Sequence, residues 1–129
     1  MSDAEPERGA GQRLRGRCVL IVEDEYLLAN DLERAFIKAG IDTAGPVPSL
    51  AQALALAERK VDMAVLDINL DGGKVYEVAD ALIERGVPIV FVTGYDRGDI
   101  PGRYASVPLC RKPVGVDEVI AVLASIAAE

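Results

Sequence analysis

The sequence predicts a doubly wound α/β domain built on a five-stranded parallel sheet. Apolar runs of strand length alternate with stretches of helical period. The runs are near-continuous, as in strands buried on both faces. Prolines suited to edge strands fall in the second and fifth runs.

Residues 1–16 are rich in Gly, Arg, Glu and Pro and show no apolar period. They are expected to be a flexible tail, with the domain over residues 17–129; a basic docking arm is the competing reading. Gly9, Gly11 and Gly16 precede a strand and do not make a G-x-G-x-x-G, which excludes a dinucleotide fingerprint. Cys18 to Val22 is a buried strand that runs into Glu23, Asp24 and Glu25. A helix follows with Leu28, Leu32, Ala35, Phe36 and Ala39 on one face, and Gly40 stops it. Residues 41–47 form a weaker strand containing Gly45 and Pro46, placed at an edge because proline cannot donate to a ladder. Ser49 opens the next helix, with Gln52 completing a capping box and Leu50, Ala53, Leu54 and Ala57 as the stripe.

The third strand runs through Met63, Ala64, Val65 and Leu66 to Asp67, then a turn-rich Ile-Asn-Leu-Asp-Gly-Gly. Val75, Val78, Ala79 and Leu82 mark a helix closed by Gly86. Residues 88–92 are the fourth strand, ending at Thr93-Gly94-Tyr95. From Gly94 to Val107 glycines and prolines crowd the chain and no helical stripe can be traced, so the fourth helix is expected to be weak or mobile. Pro108 to Cys110 is a short fifth strand before Arg111-Lys112-Pro113. The last helix carries Val119, Val122, Leu123, Ile126 and Ala127, with Asp117 and Glu118 near its N-terminal dipole. Edge prolines in strands two and five fit the order 2-1-3-4-5, the flavodoxin-like arrangement. Cys18 and Cys110 then sit on non-adjacent strands, and no disulfide is expected.

Composition narrows the function. A chain of 129 residues suits one domain with a real core. The net charge of −7 argues against nucleic acid as a direct partner, because phosphates need clustered basic residues. Two cysteines and no cleavable signal segment suggest a cytoplasmic protein. No apolar run approaches the roughly 20 residues that span a bilayer, so no membrane role is expected. Histidine is absent, which leaves carboxylates, hydroxyls, lysine and backbone for chemistry.

A parallel sheet points all its carboxyl ends at one rim, where open α/β sheets bind ligands. Glu23 and Asp24, Asp67, Thr93 and Lys112 therefore converge. Carboxylates so close resist ionising together. Mg²⁺ would relieve that conflict, since it prefers oxygen ligands. Asp67 remains as a nucleophile able to accept a phosphoryl group. Lys112 and the metal would offset charge on the transferring group, and Thr93 could donate to a phosphoryl oxygen. Singly, each residue has a plainer role: Asp67 and Asn69 in a turn, the acids at a helix dipole, Lys112 on the surface.

At VLIVEDE, AVLDINLDGG, FVTGY and RKPV the sequence resembles a receiver domain of two-component response regulators, from about Gly16 to Glu129. The resemblance implies that Asp67 is the phosphoacceptor, and that Asp24, Asp67 and the backbone carbonyl of Asn69 ligate Mg²⁺, with Glu23 holding it mainly through water. It implies that Thr93 is the switch hydroxyl, that Lys112 pairs with the acceptor or phosphate, and that the Lys112–Pro113 bond is cis. Receivers commonly carry an aromatic switch residue where this chain has Leu109. FVTGY resembles the Phe-Ala-Thr-Gly-x-Tyr motif of an alphaproteobacterial single-domain group, although here Tyr95 follows Gly94 directly. Tyr95 either takes over the aromatic role or covers the loop.

The implied function is that of a stand-alone receiver, phosphorylated by a histidine kinase or phosphotransfer protein. It would signal through phosphorylation-dependent protein contacts with a downstream partner the sequence does not name, or act as a phosphate sink, as a monomer or weak dimer. The alternatives are a Mg²⁺-dependent phosphatase with an aspartyl-phosphate intermediate, for which no cap insertion is seen, and a scaffold that uses the fold without phosphorylation.

Overall fold

The computed structural model describes residues 6–127. In chain order the elements are α1 (Pro6–Arg13), β1 (Cys18–Val22), α2 (Tyr26–Lys38), β2 (Asp42–Val47), α3 (Leu50–Ala57) and β3 (Met63–Asp67). A hairpin of β4 (Asn69–Leu70) and β5 (Gly73–Lys74) follows, then α4 (Tyr76–Glu84), β6 (Ile89–Thr93), β7 (Leu109–Arg111) and α5 (Val116–Ala127). The main sheet is parallel with order β2-β1-β3-β6-β7, which is the expected 2-1-3-4-5 arrangement once the hairpin is set aside.

Alternation along the strands decides how the sheet is covered. Val19, Ile21, Met63, Val65, Val90 and Val92 face one side, against Leu32 and Phe36 of α2 and Leu123 of α5. Leu20, Val22, Ala64, Leu66 and Phe91 face the other, against Ala53 of α3 and Val78 and Leu82 of α4. Every residue of β3 and β6 is buried, which is why those segments read as continuous apolar runs. Each fully buried Leu, Val or Phe contributes about 1.5–3 kcal/mol.

Gly45 lets β2 lie close against β1. Its φ is +86°, and an added Cβ would stand 2.6 Å from the Ile21 carbonyl oxygen. The β1–β2 register shifts between Leu20 and Val22, beside this residue. Both Gly45–Pro46 and Lys112–Pro113 are cis. Cys18 and Cys110 are free thiols, on strands separated by β3 and β6.

Three sequence expectations need correction. Residues 6–13, read as part of a flexible tail, form α1, which packs against α5. Ala10 and Leu14, four residues apart and so on one face, are buried in the α2–α5 side of the core. Gly11 lets α1 approach Ala39, since an added Cβ would lie 3.2 Å from the Ala39 Cβ. The helix is thus held by tertiary burial that a composition reading cannot see. The Ser49 cap forms, with Ser49 Oγ accepting from the Gln52 amide at 3.2 Å, but Gln52 returns to the hydroxyl (2.9 Å) instead of the backbone. The turn after Asp67 is a small hairpin around Asp71-Gly72.

Between β6 and β7 the chain makes two short 3-10 turns, Arg97–Asp99 and Gly102–Tyr104, where the sequence led us to expect a weak helix. The Arg97 guanidinium donates to the Tyr104 and Val107 carbonyls at 3.1 and 2.8 Å. Tyr104 is buried against Phe91 and Tyr76, with ring centroids 5.4 and 5.2 Å away.

Candidate functional site

Sheet register builds the site. Val22 pairs with Leu66, so Glu23 and Asp67 emerge side by side. Asp67 pairs with Val92 and Thr93 with Arg111, so Thr93 and Lys112 each lie one residue further along the rim. The Lys112 amide donates to the Thr93 carbonyl at 2.8 Å, which carries the ladder to that point.

The residues expected at the rim meet there. Carboxylate oxygens of Glu23, Asp24 and Asp67 all lie within 4.8 Å of one another. Glu23 and Asp67 are buried and Asp24 is exposed. Lys112 Nζ donates to Glu23 Oε2 at 2.9 Å, to Asp67 Oδ2 at 3.2 Å and to Glu25 Oε1. Thr93 is buried, and its Oγ1 accepts from the Tyr95 amide at 3.1 Å.

Three carboxylates against one ammonium leave the site short of positive charge. Burial, the Asp24 carboxylate beside it and the charge of Glu23 push Asp67 up to about 8, against the pull of Lys112. Burial works to lower Lys112, but hydrogen bonds to Glu25 and Glu23 and the charges of Glu23 and Asp67 hold it above its ordinary value. Glu23 Oε1 is buried with no hydrogen-bond partner, a costly state for a carboxylate oxygen. An all-oxygen donor set with an orphaned buried oxygen fits a hard divalent cation such as Mg²⁺.

The expected switch residues are placed differently from one another. Tyr95 is half-buried, and its hydroxyl donates to Asn69 Oδ1 at 3.0 Å. Lys74 Nζ donates to both Asn69 Oδ1 and the Tyr95 hydroxyl. Those bonds, Lys74 first, hold the Tyr95 phenol below its ordinary pKa. Tyr95 therefore ties the hairpin after Asp67 to the loop after Thr93. Leu109 is half-buried on β7 and packs on the core cluster that holds Tyr104.

Sequence reasoning missed Lys74 and Tyr104. The Asp71-Gly72 pair is a hairpin signal that would have turned Lys74 back toward the site. Tyr104 gave no periodic signal, because it lies in a 3-10 turn and is buried alone. Its hydroxyl donates to Asp80 and lies 3.2 Å from the Tyr76 carbonyl, while burial and Asp80 push its pKa up to about 12.

Comparison with known proteins decides the family. The model of the response regulator receiver domain matches residues 19–109. The chain belongs to this family. The receiver is 33% identical over 79 residues to the aerobic respiration control protein ArcA of Escherichia coli (strain K12), a match covering 60% of this chain and 33% of ArcA. It is similar to the solution structure of SdrG from Sphingomonas melonis Fr1, at 38% identity and TM-score 0.72, covering 88% of this chain and 98% of SdrG. It also resembles the crystal structure of the response regulator PhyR from Brucella abortus, at 30% identity and TM-score 0.73, covering 90% of this chain and 49% of PhyR. The receiver thus spans about a third of ArcA and about half of PhyR. These likenesses support a phosphoacceptor signalling module and give the phosphatase alternative no support. Among the described residues, no helix is long and apolar enough to cross a membrane.

Proposed function

We propose that Asp67 accepts a phosphoryl group from a histidine kinase or phosphotransfer protein, and that the phosphorylated receiver signals by protein contacts or acts as a phosphate sink. The observation that carries this reading is the buried Asp67 set between two further acids and one lysine at the strand ends. In the transfer, an Asp67 carboxylate oxygen attacks the phosphorus of a phosphohistidine. The new P–O bond forms as the P–N bond breaks, and the imidazole leaves with the bonding pair and takes up a proton. Asp24, Asp67 and the Asn69 backbone carbonyl would hold Mg²⁺, with Glu23 supporting it through water. When bound, Mg²⁺ offsets charge on the transferring group.

Lys112 lies within hydrogen-bond reach of Asp67 and would pair with a phosphoryl oxygen. Thr93 Oγ1 accepts from Tyr95 and keeps its own proton to donate to that oxygen. Tyr95 is the proposed readout in place of the aromatic that Leu109 replaces, because it touches Thr93 through its amide and Asn69 through its phenol. The likeness of FVTGY to the alphaproteobacterial single-domain motif supports the same role. A cytoplasmic setting and a monomer or weak dimer complete the reading.

The test is phosphotransfer from a panel of phosphorylated histidine kinases in Mg²⁺, with Asp67→Asn as the control. We expect one acid-stable, base-labile phosphoryl group per chain in the wild type and none in the variant. Labelling that persists in Asp67→Asn would refute the assignment, and sustained turnover of a small phosphomonoester would restore the phosphatase.

A further inference from the structure

We propose that Glu25 is a positioning residue for the phosphoryl reaction, parking Lys112 in a resting position from which its ammonium is handed to the incoming group. The inference rests on the receiver chemistry above. A lysine ammonium has three hydrogens to donate. Here three carboxylates take them: Glu25 Oε1 by the shortest contact, Glu23 Oε2 at 2.9 Å, and Asp67 Oδ2 by the longest at 3.2 Å. Lys112 is therefore fully engaged, and leans away from the residue it is to serve.

A phosphoryl group on Asp67 brings new oxygen acceptors. The hydrogen now given to Asp67 can turn to one of them, and Lys112 reaches a second only by releasing Glu23 or Glu25. Leaving Glu23 strands a charge whose side chain has no exposure at all. Leaving Glu25 returns to water a side chain that is already 61% exposed. Glu25 is thus the partner that yields. Its backbone keeps it at hand, because its amide donates to Glu23 Oε2 at 3.0 Å. Its side chain makes no capping bond to α2, so pairing with Lys112 is its polar role in the fold.

The handover predicts that removing Glu25 favours the phosphorylated state. Beryllofluoride with Mg²⁺ serves as the phosphoryl mimic, titrated against wild type, Glu25→Gln and Glu25→Ala. Both variants should bind it about two- to fivefold more tightly, the range set by a single exposed ion pair. Glu33→Gln removes a charge from the cleft that Glu23 and Asp24 also line, with no hydrogen bond to Lys112, and should shift the affinity much less. The ¹⁵N signal of the Lys112 ammonium gives a second readout. In Glu25→Gln without the mimic, that signal should move toward its position in mimic-bound wild type. Equal shifts in affinity for Glu25→Gln and Glu33→Gln, or an unmoved Lys112 signal, would overturn the handover. Binding of the mimic that survives Asp67→Asn would instead overturn the receiver assignment itself.

Discussion

Asp67→Asn should stabilise the metal-free protein at alkaline pH. Asp67 is 5% exposed and shares its site with two other acids and one lysine. Its pKa rises from 3.8 to about 8, so the folded chain holds this proton more tightly than the unfolded chain does. The contribution to stability is complete below about pH 4 and is lost as pH rises through about 8. At 1.36 kcal/mol per unit, the span sets a ceiling of about 6 kcal/mol. Turning exposed Asp24 into water relieves part of the repulsion, which brings the expected gain from Asp67→Asn at pH 8 to about 2–3 kcal/mol. That is a large share of a small domain's total stability. The assay is urea unfolding in EDTA between about pH 5 and about pH 8, followed by far-UV circular dichroism because the chain has no tryptophan. Wild type should weaken across this range, and Asp67→Asn should hold nearly level. Saturating Mg²⁺ should flatten the wild-type profile and leave the variant unmoved. Parallel profiles for the two proteins in EDTA would refute the charge argument.

Four further substitutions test packing, backbone and hydrogen bonding. Leu14→Ala should cost about 2–4 kcal/mol, read from the urea midpoint, because Leu14 is fully buried beneath α1; a cost near zero would mean that residues 6–14 do not dock in solution. Gly45→Ala should cost about 2 kcal/mol or more, since its φ of +86° and the Ile21 carbonyl 2.6 Å from an added Cβ both resist a side chain. Tyr104→Phe should cost about 1 kcal/mol by removing the bond to Asp80. Tyr104→Ala should cost about 3–5 kcal/mol by emptying the space against Phe91; equal costs for the two Tyr104 variants would show that packing is not what holds the segment.

The sheet and its site were largely legible in the chain itself. Continuous apolar runs such as Met63–Leu66 can be buried only between two layers, and Pro46 and Pro108 suit only edges. A parallel sheet then has no choice but to bring Glu23, Asp24, Asp67, Thr93 and Lys112 to one rim, because all its strands end on the same side. What the sequence could not reveal lies where local signal is weak and long-range contact decides. The glycine-containing segment before Cys18 becomes a helix because α2 and α5 offer Ala10 and Leu14 an apolar surface. Lys74 reaches Tyr95 because two glycines fold a hairpin back over the site. Tyr104 enters the core from a turn without period, held by Asp80 on a neighbouring helix. Only the tertiary structure could decide how Lys112 divides its hydrogens among Glu23, Glu25 and Asp67, because that division depends on distances between strands and not on the identity of any one residue.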